Sequence, residues 1–159
     1  MENELYRSQR LLLGHGALVL LAGFAIGFGF LFFLIGEIKL WPFPGAIEYQ
    51  LPGTYDAWRM AHMEGIINGV LLWILASVLP LLASMFTRVY RLAVAMVVAA
   101  WTIVVASVID PFYPDARGLD FSFGENLPND VAFFLFYIGI VIACTVILTI
   151  AIRAFRLPK

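Results

Sequence analysis

The chain has 159 residues, of which 62% are hydrophobic and only 13% charged, and its mean hydropathy is +0.92. A water-soluble domain of this length could not bury that much apolar surface in one core, so the bilayer must act as solvent. The net charge of −1 leaves no basic stripe to displace counterions from phosphate, which excludes nucleic acid as a partner.

The first ten residues, MENELYRSQR, mix acids with bases. The apolar stretch after them outruns a signal peptide and shows no small-residue cleavage pattern, so it is expected to be a retained first span. Four apolar stretches follow one another at about 11 to 35, 61 to 86, 90 to 110 and 131 to 152, each near the ~20 residues that cross ~30 Å of hydrocarbon. A lipid-exposed backbone must satisfy its own polar groups, so each is predicted to be a helix. The expected architecture is an all-α, polytopic four-transmembrane-helix bundle, one membrane domain over residues 1–159.

The connection at 87–89 is a minimal basic turn, while 36–60 and 111–130 are longer and rich in Gly, Pro and aromatic residues. Under this topology Arg7, Arg10, Arg88, Arg91, Arg153, Arg156 and Lys159 share one side, against Lys39, Arg59 and Arg117 on the other. The positive-inside rule then places both termini in the cytoplasm of a multi-pass protein, with a bacterial inner membrane the expected location. Cys144 is the single cysteine, so no intrachain disulfide can form; its apolar run suggests a buried, inert thiol.

Near the start of the first span stands Gly14-His15-Gly16, a small-residue pattern suited to helix packing at the cytoplasmic interface. The second span opens with Trp58-Arg59-Met60-Ala61-His62-Met63-Glu64-Gly65-Ile66-Ile67-Asn68-Gly69. Three strongly polar side chains in a membrane helix each need a partner, a cavity or a metal. At 100° per residue Glu64 and Asn68 share a face, whereas His62 points roughly 120° from Asn68 and sits ~9 Å nearer the outer surface. His62 is a candidate for a plain interhelical hydrogen bond or for metal or haem ligation, since neutral imidazole is the commonest metal ligand. Glu64 would pair or face water, with Arg59 a possible partner one turn back. Gly65 and Gly69, spaced i, i+4, admit either a close helix or a flat ligand.

His15 and His62 lie near opposite faces of the membrane, so they cannot both ligate one iron within a subunit. On the third span Thr102 and Ser107 are expected to bond to their own helix carbonyls, Trp101 lies too deep for an aromatic belt and is expected to pack internally, and Asp110-Pro111 ends the helix.

Taken in order, Gly14-His15-Gly16, Trp58-x-x-Ala61-His62 with Asn68-Gly69, Val78-Leu79-Pro80, Trp101 and Arg117-Gly118-Leu119-x-Phe121 resemble the styrene oxide isomerase family over nearly the whole chain. That resemblance implies a homotrimer with haem b at its subunit interfaces, the iron held by His62, with Trp58, Gly65 and Gly69 beside the porphyrin. It further implies that ferric iron acts as a Lewis acid on an aryl epoxide, whose opening to a benzylic cation and 1,2-hydride shift yield an aldehyde, with Asn68 placing the substrate. Two positions depart from the family pattern. Ser107 stands where a substrate-contacting tyrosine is expected, and Glu64 replaces a small residue or proline, adding a candidate acid or base. These three, Asn68, Ser107 and Glu64, are the expected catalytic residues. Two other readings stay open on the residues alone: a haem-bearing electron-transfer subunit coupled to quinone through Glu64, and a non-catalytic helix bundle or permease.

Overall fold

The computed structural model describes residues 2–156; Lys159, counted above among the bases, lies outside them. Four helices carry the fold: α1 (Glu2–Ile35), α2 (Tyr55–Ala83), α3 (Val89–Phe112) and α4 (Leu127–Arg156). At 1.5 Å per residue the shortest, α3, is ~36 Å long, and all four are long and apolar enough to cross a membrane. The expected four-span, all-α bundle is therefore the observed one.

The helices outrun the apolar stretches that announced them, because hydropathy marks only the part lying in hydrocarbon. α1 starts at Glu2 rather than near residue 11, with Glu2 and Glu4 in its first turn, where carboxylates favour the positive helix end. Its polar extension is tied down: Glu4 Oε1 accepts from the Tyr90 N–H at 3.2 Å, and the Arg7 guanidinium lies 4.5 Å over the Tyr90 ring. α2 starts at Tyr55 instead of 61 because Thr54 caps it, its hydroxyl oxygen accepting from the Ala57 N–H at 3.2 Å.

α1 and α2 pack along a glycine seam. A Cβ built on Gly23 would lie 2.9 Å from the Gly65 carbonyl carbon, and one on Gly69 would lie 2.9 Å from the Leu20 backbone nitrogen. Only residues without a side chain let two backbones come this close. α3 is the central helix, 44% buried across its apolar window and packed against each of the other three. α4 rests on α3, and only 11% of its window is buried. The apolar core of Leu12, Val19, Leu72, Leu79, Val97 and Val104 lies where α1, α2 and α3 meet.

At the end opposite the termini, a two-stranded antiparallel hairpin, β1 (Glu37–Ile38) with β2 (Ile47–Glu48), follows α1. The second long loop is fastened to the start of α4. Asp130 accepts from the Ser122 N–H and Oγ–H and from the Gly124 N–H, at 2.6, 2.8 and 2.7 Å. Asn129 accepts from the Gly118 N–H at 2.8 Å and donates to the Asp120 carbonyl at 2.7 Å. Gly118 needs its glycine: its φ is +65°, and a Cβ there would meet the α4 backbone at Phe133 N at 2.7 Å. Phe121 closes the arrangement against Phe123, Phe133 and Phe134. The Arg117-Gly118-Leu119-x-Phe121 pattern thus docks a loop onto a helix, and Arg117 itself reaches Asp110 at 3.6 Å.

Cys144 corrects an expectation. It is exposed on α4, since an apolar residue of a membrane helix can meet lipid as readily as protein.

Candidate functional site

The two histidines are held in opposite states. His62 Nδ1 lies 2.9 Å from the Gly23 carbonyl oxygen on α1. A carbonyl can only accept, so Nδ1 carries the proton and the lone pair is left on Nε2. The Cε1–Nδ1 edge of the ring presses on Gly27, where a Cβ would stand 2.8 Å from both atoms. At His15 the pattern reverses. The Trp101 indole N–H, a donor only, points at His15 Nδ1 at 3.1 Å, which uses that lone pair and places the proton on Nε2. The Gly-His-Gly and Trp101 landmarks are therefore one interhelical contact, and His15 is a structural histidine. Along α1 it lies eight residues, ~12 Å, from the Gly23 carbonyl that orients His62, consistent with the two rings serving separate places.

An imidazole with Nδ1–H anchored on a backbone carbonyl and Nε2 free is the arrangement that metal-ligating histidines use, because it fixes tautomer and ring direction together. Among the described residues no cluster of three or more His, Cys, Asp or Glu side chains could hold a bare metal ion. A metal brought in its own macrocycle needs only one axial ligand from the protein, and His62 fits that requirement.

Glu64 and Asn68 come together on the other edge of α2. One amide hydrogen of Asn68 goes to the Glu64 backbone carbonyl and the other to Glu64 Oε2, both at 2.9 Å. The Asn68 carbonyl oxygen is left without a hydrogen-bond partner among the described residues, an open acceptor and the negative end of the amide dipole. Arg59 is not the partner of Glu64; it pairs with Asp56 at 3.5 Å. Below Glu64 and Asn68 runs a cleft of about 370 Å³, walled by α2 and α4, floored by Met96, Ala99, Ala100 and Ile103 of α3, and open sideways.

Four expected site residues take other roles. Gly65 and Gly69 face α1, whose backbone fills the space a porphyrin would need, so they serve helix packing rather than cofactor contact. Trp58 is 3% exposed, donates to the Pro52 carbonyl at 2.8 Å, and is enclosed by Phe33, Phe112 and Gly29, which leaves no free face for a cofactor. Ser107 is fully buried, and its hydroxyl bonds to the Ile103 and Val104 carbonyls of its own helix; it touches no cleft and is not positioned for catalysis. Conversely, Gly23 and Gly27 matter to the site and escaped the sequence reading. Their spacing on α1 was the available signal, but nothing in it says which helix would press against them.

Fold and site together define a multi-pass α-helical membrane protein that carries one ligand-ready histidine and, on the opposite edge of the same helix, a polar pair above an apolar cleft. The chain belongs to the styrene oxide isomerase family, whose family model matches residues 8–155. It is also 30% identical, over 132 residues, to a styrene-oxide isomerase of Pseudomonas fluorescens, an alignment covering 82% of this chain and 76% of that one.

Proposed function

We propose that this protein is a membrane isomerase that rearranges a lipophilic epoxide to the corresponding carbonyl compound, using haem b held through His62 at the subunit interfaces of a homotrimer. Family membership supports the reaction class. The observation that carries the cofactor assignment is the pair of opposed tautomers, which leaves a free imidazole lone pair at His62 and none at His15 Nδ1. When bound, ferric haem would supply a Lewis acid for the epoxide oxygen, an interaction worth several kcal/mol in a dry site.

The chain's own residues supply the rest. Gly23 and Gly27 hold the His62 ring. Glu64 locks the Asn68 amide so that its oxygen faces the substrate, and the aliphatic walls below keep water from trapping the opened ring as a diol. No external proton or electron is needed, because the migrating hydride comes from the substrate.

The placement of these groups supports such an assembly. His62 and the Glu64–Asn68 pair flank an arc of α2 on which Met63, Ile67, Val70 and Ile74 are exposed, so within one chain they cannot meet on a single small molecule. In a cyclic assembly two different edges of the same surface face each other at every interface. The His62 edge of one copy can then meet the Glu64–Asn68 edge of the next, as three copies close a ring. The end bearing Arg7, Arg88, Arg91 and Arg153 faces the cytoplasm of a bacterial inner membrane on the positive-inside rule.

The test is an absorption spectrum of detergent-purified protein, followed by gas chromatography after adding epoxides. A Soret band lost in His62→Ala and kept in His15→Ala, with epoxide converted to carbonyl product, is the expected result. Protein without a Soret band, or with one indifferent to His62→Ala, would remove the haem. Reversible reduction by quinol without epoxide turnover would instead indicate an electron carrier.

A further inference from the structure

We infer that the substrate is a branched aliphatic epoxide rather than an aryl one, lying in the cleft under Asn68 with its reacting carbon against the Asn68 carbonyl oxygen. The inference rests on the isomerase reading above and deepens it. Apart from Glu64 and Asn68, every side chain lining that cleft is Ala, Val, Leu, Ile or Met. Among these side chains a flat aryl ring finds no aromatic edge or face to pack on, although 15% of the chain is aromatic.

The aromatic residues are placed elsewhere. Trp58, Phe33 and Phe112 close the loop end of the bundle, and Phe121, Phe123, Phe133 and Phe134 fasten the second long loop. A second cleft, of about 760 Å³ between α1 and α3, is lined by Trp101, Phe112 and Tyr113 but by no carboxylate, carboxamide or histidine. The polar groups of the aromatic cleft are thus the Tyr113 hydroxyl and the Trp101 indole, the latter bonded to His15, and the cleft that holds the carboxyl and carboxamide is aliphatic. The aliphatic cleft is also elongated: its α2 wall runs from Glu64 to Val78, ~21 Å along the helix axis.

The polar end of the cleft suits the same class of substrate. Breaking an epoxide C–O bond leaves positive charge on carbon, which an aryl ring would spread into its π-system. Without that ring, the charge must rest on a carbon bearing two alkyl groups and be met by fixed negative dipoles. Both amide hydrogens of Asn68 are already taken by Glu64, so what it offers the cleft is its oxygen, the right pole for that purpose. In the step itself, the bond between oxygen and the dialkyl carbon breaks with its electron pair going to oxygen. A hydrogen then moves with its pair from the neighbouring ring carbon, and that carbon forms the C=O double bond. The product is an isomeric ketone; nothing is added, removed, oxidised or reduced overall.

The experiment compares two substrates on the haem-loaded protein in detergent: styrene oxide, and an epoxide with two methyl groups on one ring carbon and a butyl chain on the other. The expected result is kcat/KM at least about tenfold higher for the alkyl epoxide, with butyl isopropyl ketone as product. Ala99→Phe, which fills the cleft floor with a ring, is expected to lower that preference about tenfold without changing the Soret band. Faster turnover of styrene oxide, or an unchanged preference in Ala99→Phe, overturns the inference and leaves the isomerase reading standing. Haem-loaded protein that isomerises neither compound overturns both.

Discussion

The smallest perturbation that tests the orientation of His62 is Gly27→Ala. A methyl group at residue 27 would stand 2.8 Å from His62 Cε1 and Nδ1, whereas ordinary contact begins at 3.4 Å, so the ring must withdraw by about 0.6 Å. The Nδ1–H bond to the Gly23 carbonyl, 2.9 Å in the parent, would lengthen toward about 3.5 Å, beyond useful geometry. Its net loss costs about 0.5–1.5 kcal/mol, and loss of such an outer partner typically weakens metal binding about 10–100-fold. Alanine is meanwhile the better helix former by about 1 kcal/mol, so the haem-free fold is expected to hold. Haem titration followed at the Soret band, with thermal unfolding of the haem-free protein as control, reads both effects. If Gly27→Ala binds haem as tightly as the parent while His62→Ala does not bind it, the ring is not positioned by the contact described here.

Other outcomes follow from the same geometry. Gly69→Ala would set a methyl 2.9 Å from the Leu20 backbone nitrogen, which cannot swing aside; thermal unfolding should show a loss of about 1–3 kcal/mol. Trp101→Phe removes the indole donor to His15, and should cost about 0.5–1.5 kcal/mol of stability while leaving haem absorption unchanged; a shifted Soret band would mean that His15 touches the cofactor. Asn129→Ala abandons two hydrogen bonds at a buried position and should cost about 1–3 kcal/mol, with protease cutting the 113–126 loop faster; equal cutting rates would show that the loop is anchored elsewhere.

Hydropathy disclosed the four spans because lipid imposes one requirement on every residue of a crossing helix. It stopped short of the helix ends, which depend on local chemistry such as the Thr54 cap and the Glu4–Tyr90 contact. At the site, polarity in an apolar stretch marked His62, Glu64 and Asn68, and helical phase separated the first from the other two. The tautomers could not be read this way, since each is set by a group on another helix: the Gly23 carbonyl for one ring and the Trp101 indole for the other. Glycine spacing was equally ambiguous, being the same whether a backbone or a porphyrin comes close. Ser107 bonds to its own helix as its residue type suggested, and only the family resemblance pointed it toward catalysis; Cys144 shows the remaining gap, because lipid exposure leaves no mark in composition.

If the substrate binds in the cleft under Asn68, which opens sideways between α2 and α4, it arrives from the hydrocarbon and not from the buffer. What governs its capture is the number of such molecules per unit area of membrane. Adding empty vesicles or extra micelles dilutes that number without removing any compound from the tube, and so slows every turnover. A Michaelis constant quoted per litre therefore reports the quantity of lipid in the assay as much as the fit of the compound, and constants from different preparations become comparable only as mole fractions within the membrane phase.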